Sequence, residues 1–206
     1  MDQMNSKYAT LGGKQDSRDP EGTRMGTLAE RLMIPELTQH FYEYLRLNTG
    51  LAEGSVSLAQ VAQFPTHYYS KLCVEIPQFQ GQGIETHKIW WTAGQPFRKL
   101  EKPRADWVWV RRRGRSKDAN GELDRRIVGS LEGLFTVRDY VNREHEVALV
   151  SLLSVWGSSK LGREEGMVRM ERGNAGRWLN IVRIADIEGM AHLIGVKQDS
   201  VWLVNN

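Results

Sequence analysis

The sequence predicts an α+β chain, mainly β, in which an antiparallel SH3-like or rolled β-barrel follows a short helical element and a flexible leader. Three observations carry this expectation. Beyond Pro65 the hydrophobic period is two, the runs are short and end in Gly or Pro turns, and no long helical pattern separates one run from the next. A 3.6-residue period appears once, ahead of Pro65. Before that there is no period at all. At 206 residues the chain has room for one domain of roughly 140 residues with an appendage, or for two very small ones. The expected division is a flexible leader over 1–27, a helical element over 28–65 and a β-barrel-like domain over 66–206.

The leader is assigned by default, since it carries two successive glycines and scattered charges. In the helical element, Pro35 suits a first helical turn. Leu37, Phe41, Tyr44 and Leu45 then recur at i, i+4, i+7 and i+8, one apolar stripe, until Asn48-Thr49-Gly50 stops the helix. Ser57 and Gln60 have capping-box spacing for a second short helix that Pro65 closes.

After Pro65, Tyr68, Ser70, Leu72, Val74 and Ile76 alternate with mostly polar neighbours, which predicts a strand ending at Pro77. A second strand is expected over 84–91 and a third over 106–113, where Trp107 and Trp109 face one way and Val108 and Val110 the other. Asn120-Gly121 is a turn signal. In the long strand over 126–138, Gly129 and Gly133 share a face with Leu131, Phe135 and Val137, which suggests a sharply coiled strand at a corner. Residues 146–156 are apolar on both faces, as a central strand should be. The last residues read as a strand, a tight polar turn, a second strand containing His192, and a closing strand at Trp202. Val128, Phe135, Leu149 and Ile194 are the expected centre of the core.

Composition narrows the function. A chain that is 40% hydrophobic and 26% charged, with no apolar run near the roughly 20 residues a bilayer span needs, is expected to be soluble. Its polar start lacks the apolar core of a secretory signal. One cysteine, Cys73, excludes an internal disulfide framework and suits an intracellular compartment, the nucleus included. The net charge of +3 is uneven: residues 98–126 hold eleven Lys/Arg against five Asp/Glu. Arg111, Arg112, Arg113, Arg115 and Lys117 form the centre of this excess. Such a patch suits a phosphate backbone or an acidic partner; as a solvated hairpin tip it would also discourage edge pairing.

No catalytic constellation emerges. Cys73 and His67 fall on one face of a strand but roughly 20 Å apart if the strand is regular. The five histidines have none of the short spacings of a zinc site, and His192 reads as a core or edge histidine. No phosphate-cradling glycine loop is present. No cofactor or metal is therefore expected, and no enzymatic activity. The tryptophans stand out instead. Seven occur, and Trp90, Trp91, Trp107 and Trp109 lie on two predicted neighbouring strands. They suit a platform for stacking bases or a cage for a methylated lysine, and equally a covering for the end of the core.

Several runs together resemble a known family. They are Tyr69-Ser70-Lys71-Leu72, Ile76-Pro77-Gln78-Phe79, Asp106-Trp107-Val108-Trp109-Val110, residues 128–139, residues 187–194 and Trp202-Leu203-Val204-Asn205-Asn206. The set is similar to the C-terminal region of fungal transposon-encoded proteins of the Kyakuja–Dileera–Zisupton and CACTA-like groups, over about residues 66–206. The resemblance implies an accessory β-module, loosely similar to the bromo-adjacent homology or Tudor-like barrels of chromatin proteins. It transfers no functional residue. The resulting expectation is a non-enzymatic DNA- or chromatin-associated binding module in which the arginines contact phosphates beside Trp107 or Trp109. A peptide-recognition module caging a modified histone tail, and a structural or assembly segment of a larger transposase, are the alternatives.

Overall fold

The computed structural model describes residues 9–14, 22–50, 54–77, 83–91, 105–111, 126–155, 167–171, 179–195 and 201–205. Three helices precede most of the strands: α1 (Met25–Arg31), α2 (Leu37–Thr49) and α3 (Leu58–Val61). The apolar stripe of α2 is the one its spacing predicts, for Leu37, Phe41, Tyr44 and Leu45 are its buried residues. A full burial of this kind contributes about 1.5–3 kcal/mol per large aliphatic side chain. At the end of α2 the Asn48 amide and the Thr49 hydroxyl donate back to the carbonyls of Tyr44 and Leu45, at 2.9 and 2.7 Å. The capping box forms as expected: the Ser57 hydroxyl accepts from the Gln60 amide (3.2 Å) and the Ser57 amide donates to Oε1 of Gln60 (2.8 Å).

The sheet is organised around β6 (Arg126–Arg138). Along one edge it pairs with β7 (Glu144–Leu152), antiparallel, from Gly129 to Arg138. Its other edge is shared. β5 (Trp107–Arg111) takes residues 126–130, and β3 (Pro65–Pro77) takes Phe135 to Val137. Further along, β3 leaves β6 and pairs with β1 (Ala9–Lys14) and β4 (Ile84–Trp90), while β2 (Thr23–Arg24) joins its start. β10 (Leu179–Arg183) lies beyond β7. One 3-10 turn, Ile184–Asp186, carries the chain into β11 (Ile187–Met190), which pairs with β5. The order β10-β7-β6-β5-β11 follows. A second antiparallel sheet has the order β12 (Leu193–Gly195), β13 (Val201–Asn205), β9 (Met167–Glu171), β8 (Ser154–Val155).

Local sequence explains the bend in β6. The β6–β7 register shifts between Leu131 and Gly133, so Glu132 is an extra residue that deepens the twist. At Gly133 an added Cβ would stand 2.3 Å from the Phe135 ring, so only glycine fits. The corner expected from the two glycines is thus a bulge. β7 is central as predicted, with Val147, Ala148, Leu149 and Val150 all fully buried. Helices and sheet share one apolar core, running from Met25 and Phe41 through Leu72, Val110 and Phe135 to Ile187.

The expected barrel does not close. β10 and β11, joined by the 3-10 turn, share no ladder among the described residues, so the sheet is open. The leader expected over 1–27 contains order that a local reading misses: residues 9–14 form β1, paired with β3 more than fifty positions away, and α1 begins at Met25. The first part of the expected helical element is divided into α1 and α2. Pro35 disfavours a helical Ile34, and Met33 adopts a positive φ of 56° between α1 and α2. Of the four expected core residues, Phe135 and Leu149 lie in the main core, Val128 lies in a small separate cluster, and the side chain of Ile194 falls outside the described residues.

Gly189 supplies a test. Its φ is 147°, and a Cβ would meet Nδ1 of His87 and Cδ1 of Ile76 at 2.8 Å each. The Met190 amide donates to the same His87 nitrogen at 3.1 Å, so β11 is pressed against β3 and β4 at this point. Gly189→Ala should lower unfolding free energy by about 1–3 kcal/mol in denaturant titrations, the cost of overpacking a tight site. An unchanged midpoint would show that this contact is not constraining.

Candidate binding surface

β5 presents two different faces. Val108 and Val110 point into the main core. Trp107, Trp109 and Arg111 lie on the other face by strand alternation. The two tryptophans are half-buried and pack on a small cluster of Val128, Leu153 and Ala191, with Leu193 beside them. This cluster sits where the chain passes between the sheets. Leu153, between β7 and β8, donates its amide to the Val128 carbonyl at 2.8 Å; Ala191, between β11 and β12, donates to the Trp107 carbonyl at 2.8 Å. Trp107 and Trp109 therefore serve as packing at a junction while keeping part of their surface exposed.

The other two tryptophans of the expected platform diverge. Trp91 is in the core, 6.3 Å from the Phe135 ring centre. Trp90 is half-buried with the Lys71 ammonium 5.3 Å over its ring, a cation–π contact. Oδ2 of Asp106 accepts from the Trp90 amide at 2.8 Å and ties that strand to the start of β5.

Arg111 is already engaged. Its Nε and Nη2 donate to Oε1 of Glu188 at 3.0 and 2.8 Å. Glu188 is placed for this by the register shift between Ile187 and Gly189, and its side chain is 10% exposed against 42% for Arg111. Being partly solvated, the pair contributes no more than about 1 kcal/mol. It nonetheless fixes the direction of the guanidinium. In the β5–β6 register, Arg111 stands opposite Arg126. The other predicted contact residues, Arg112, Arg113, Arg115 and Lys117, lie outside the described residues.

A polar site that sequence reading does not single out lies at the β6–β7 turn. Oδ1 of Asp139 accepts from the amides of Val141 (3.0 Å) and Arg143 (2.8 Å), and its Oδ2 is 2.9 Å from Nε2 of His145. Both side chains are buried, 3% and 6% exposed. The His145 ring meets the stacked Phe41 and Tyr44 rings edge-on, 5.8 Å from each, so this pair is the seat on which α2 docks. Burial by itself would raise the Asp139 carboxyl, but the hydrogen bonds from His145, Arg143 and Val141 outweigh it and hold the carboxyl below its ordinary value. The readable signal was an Asp two and four residues before backbone amides in a hairpin turn, an Asx-turn pattern. In the 3-10 turn, burial raises the Asp186 carboxyl despite Arg183, whose Nε donates to it at 3.2 Å.

Among the described residues, no group of three or more His, Cys, Asp or Glu could hold a metal ion. Cys73 is partly exposed in β3, opposite Thr10 and Lys88 in the ladders. His192 is exposed in the gap between β11 and β12, an edge position. No described helix is long and apolar enough to cross a membrane. Comparison with family models, with curated proteins and with solved structures finds no match.

The two carboxylates should act oppositely on stability. The depressed Asp139 contributes stability that is present above the unfolded carboxylate value of about 3.9 and is lost as pH falls through its lower folded value. The raised Asp186 does the reverse, favouring the fold more as it protonates. Urea melts across pH 2.5–7 should therefore show Asp139→Asn less stable at neutral pH with a shallower loss on acidification. Asp186→Asn should instead remove part of the gain at low pH. Parallel pH curves for all three proteins would show that neither carboxyl is coupled to folding.

Proposed function

We propose that this chain is a non-enzymatic DNA- or chromatin-associated binding module of transposon origin, with its basic β5–β6 connection as the contact element. The carrying observation is the concentration of charge. Eleven Lys/Arg against five Asp/Glu occupy residues 98–126, and Arg111 and Arg126 stand opposite each other at the end of the β5–β6 ladder, on either side of this run's centre in sequence. A phosphate backbone is the complementary partner for such a cluster, and binding should release counterions. The half-exposed Trp107 and Trp109 lie on β5 just before the arginine run in sequence, where a base could stack. The finer fold reading is an open SH3-like roll. It is supported by the order β10-β7-β6-β5-β11 and by the single 3-10 turn linking the outer two strands. The transposon resemblance over residues 66–206 supports the origin, and a nuclear setting follows from the partner.

Within this reading the five basic residues divide. Glu188 engages the Arg111 guanidinium, so Arg111 orients the run while Arg112, Arg113, Arg115 and Lys117 contact phosphate. Replacing Arg112, Arg113 and Arg115 together by Ala should weaken duplex binding and reduce the slope of log K against log salt by about 0.9 for each phosphate no longer neutralised. Arg111→Ala should leave that slope nearly unchanged. Fluorescence anisotropy with a labelled duplex at several salt concentrations reads both. An unchanged slope in the triple variant overturns the assignment.

The partial exposure of Trp107, Trp109 and Trp90 favours a second reading, an aromatic cage for a methylated lysine of a histone tail. Under it, affinity for a histone peptide rises with lysine methylation and is insensitive to the triple arginine change.

A further inference from the structure

Between the last turn of α2, the first residues of β7 and the 3-10 turn lies a cleft of about 580 Å³, separate from the residues assigned to DNA. Three side chains bring unengaged hydrogen-bond donors to it. Tyr44 is more than nine-tenths buried and lines the cleft, and among the described residues its hydroxyl has no hydrogen-bond partner. Arg183 uses Nε on Asp186, while its two Nη groups have no partner among the described residues. The Arg143 side chain is exposed at the rim, likewise with no partner for its guanidinium among the described residues.

Negative groups also stand at this cleft. Glu144 and Glu146 also border the cleft, yet strand alternation turns their side chains to the face opposite His145. The end of α2 carries about half a negative charge, and Asn48 and Thr49 already donate to two of its terminal carbonyls. Arg143 and Arg183 are the positive groups set against these, and Asp186 already engages Arg183 through Nε. Two planar donors and a phenol bordering one polar cleft match a tetrahedral oxyanion, which accepts several charge-assisted hydrogen bonds at once.

We propose that this cleft is a phosphate-binding site in which Tyr44, Arg143 and Arg183 hold the terminal phosphate of a monoester or free phosphate. A terminal phosphate offers three non-bridging oxygens to the three donors, whereas a diester, flanked by sugars on both sides, offers two. Burial pushes the Tyr44 phenol above its ordinary value, offset in part by Arg183, so it remains a donor at neutral pH. The proposal does not rest on the DNA reading.

The test uses the full chain titrated with inorganic phosphate, and separately with O-phosphoserine, followed by amide NMR shifts, with sodium chloride at matched ionic strength as control. Phosphate should saturate the shifts of Tyr44, Arg143 and Arg183, and chloride should not. Tyr44→Phe, which keeps the ring between its neighbours, and Arg143→Ala, at an exposed position, should each weaken binding about tenfold. Arg143→Lys should restore part of it. The Arg112, Arg113 and Arg115 triple variant should bind phosphate normally while losing duplex affinity. Failure of phosphate to bind, an equal response to chloride, or unchanged affinity in both Tyr44→Phe and Arg143→Ala overturns the proposal. Loss of phosphate binding in the triple variant overturns the separateness of the site.

Discussion

Strand β6 has to satisfy three partners with two edges, and the rest of the architecture answers that demand. One edge is given to β7 along most of its length, so the other must be divided between β5 and β3. A straight strand cannot present the same edge to two strands heading into different layers. The extra residue at Glu132 and the missing side chain at Gly133 supply the bend, and the Phe135 ring occupies the space a Cβ would need. Once β6 bends, β3 is free to run on with β1 and β4, and these strands pack against β11 at Gly189. The main core fills the space enclosed.

Legibility in the sequence followed the range of the interactions. The buried stripe of α2, the Ser57 capping box, the bounds of β6 and the central position of β7 depend on neighbours within a few residues or on local apolar periodicity, and all were readable. β1 was not, because its strand character comes from Leu72 and Val74, far along the chain, and its glycines conceal any alternation. The open edge was also hidden. Periodicity states which residues face inward, but the pairing of β10 with β7 and of β11 with β5 is settled by tertiary contact.

The candidate surface was legible in composition and less so in geometry. Counting charges located the basic run, and alternation correctly placed Trp107 and Trp109 together. Neither could show that Glu188 would reach Arg111 from 77 positions away, nor that the tryptophans would rest on Val128, Leu153 and Ala191. The Asp139–His145 pair and the Tyr44 cleft were missed for a related reason. Tyr44 reads as one member of an apolar stripe, and only the fold reveals that it borders a cleft with Arg143 and Arg183.

Two of the three crossings between the sheets have a mechanical implication. Leu153 and Ala191 each anchor a crossing, and both anchors bind carbonyls of the same hairpin, on Val128 in β6 and Trp107 in β5. These two carbonyls belong to adjacent strands locked in register. The smaller sheet is therefore hung from the basic hairpin by two pegs on one rail. Sliding β5 along β6 would drag one peg past the other and twist the suspended sheet.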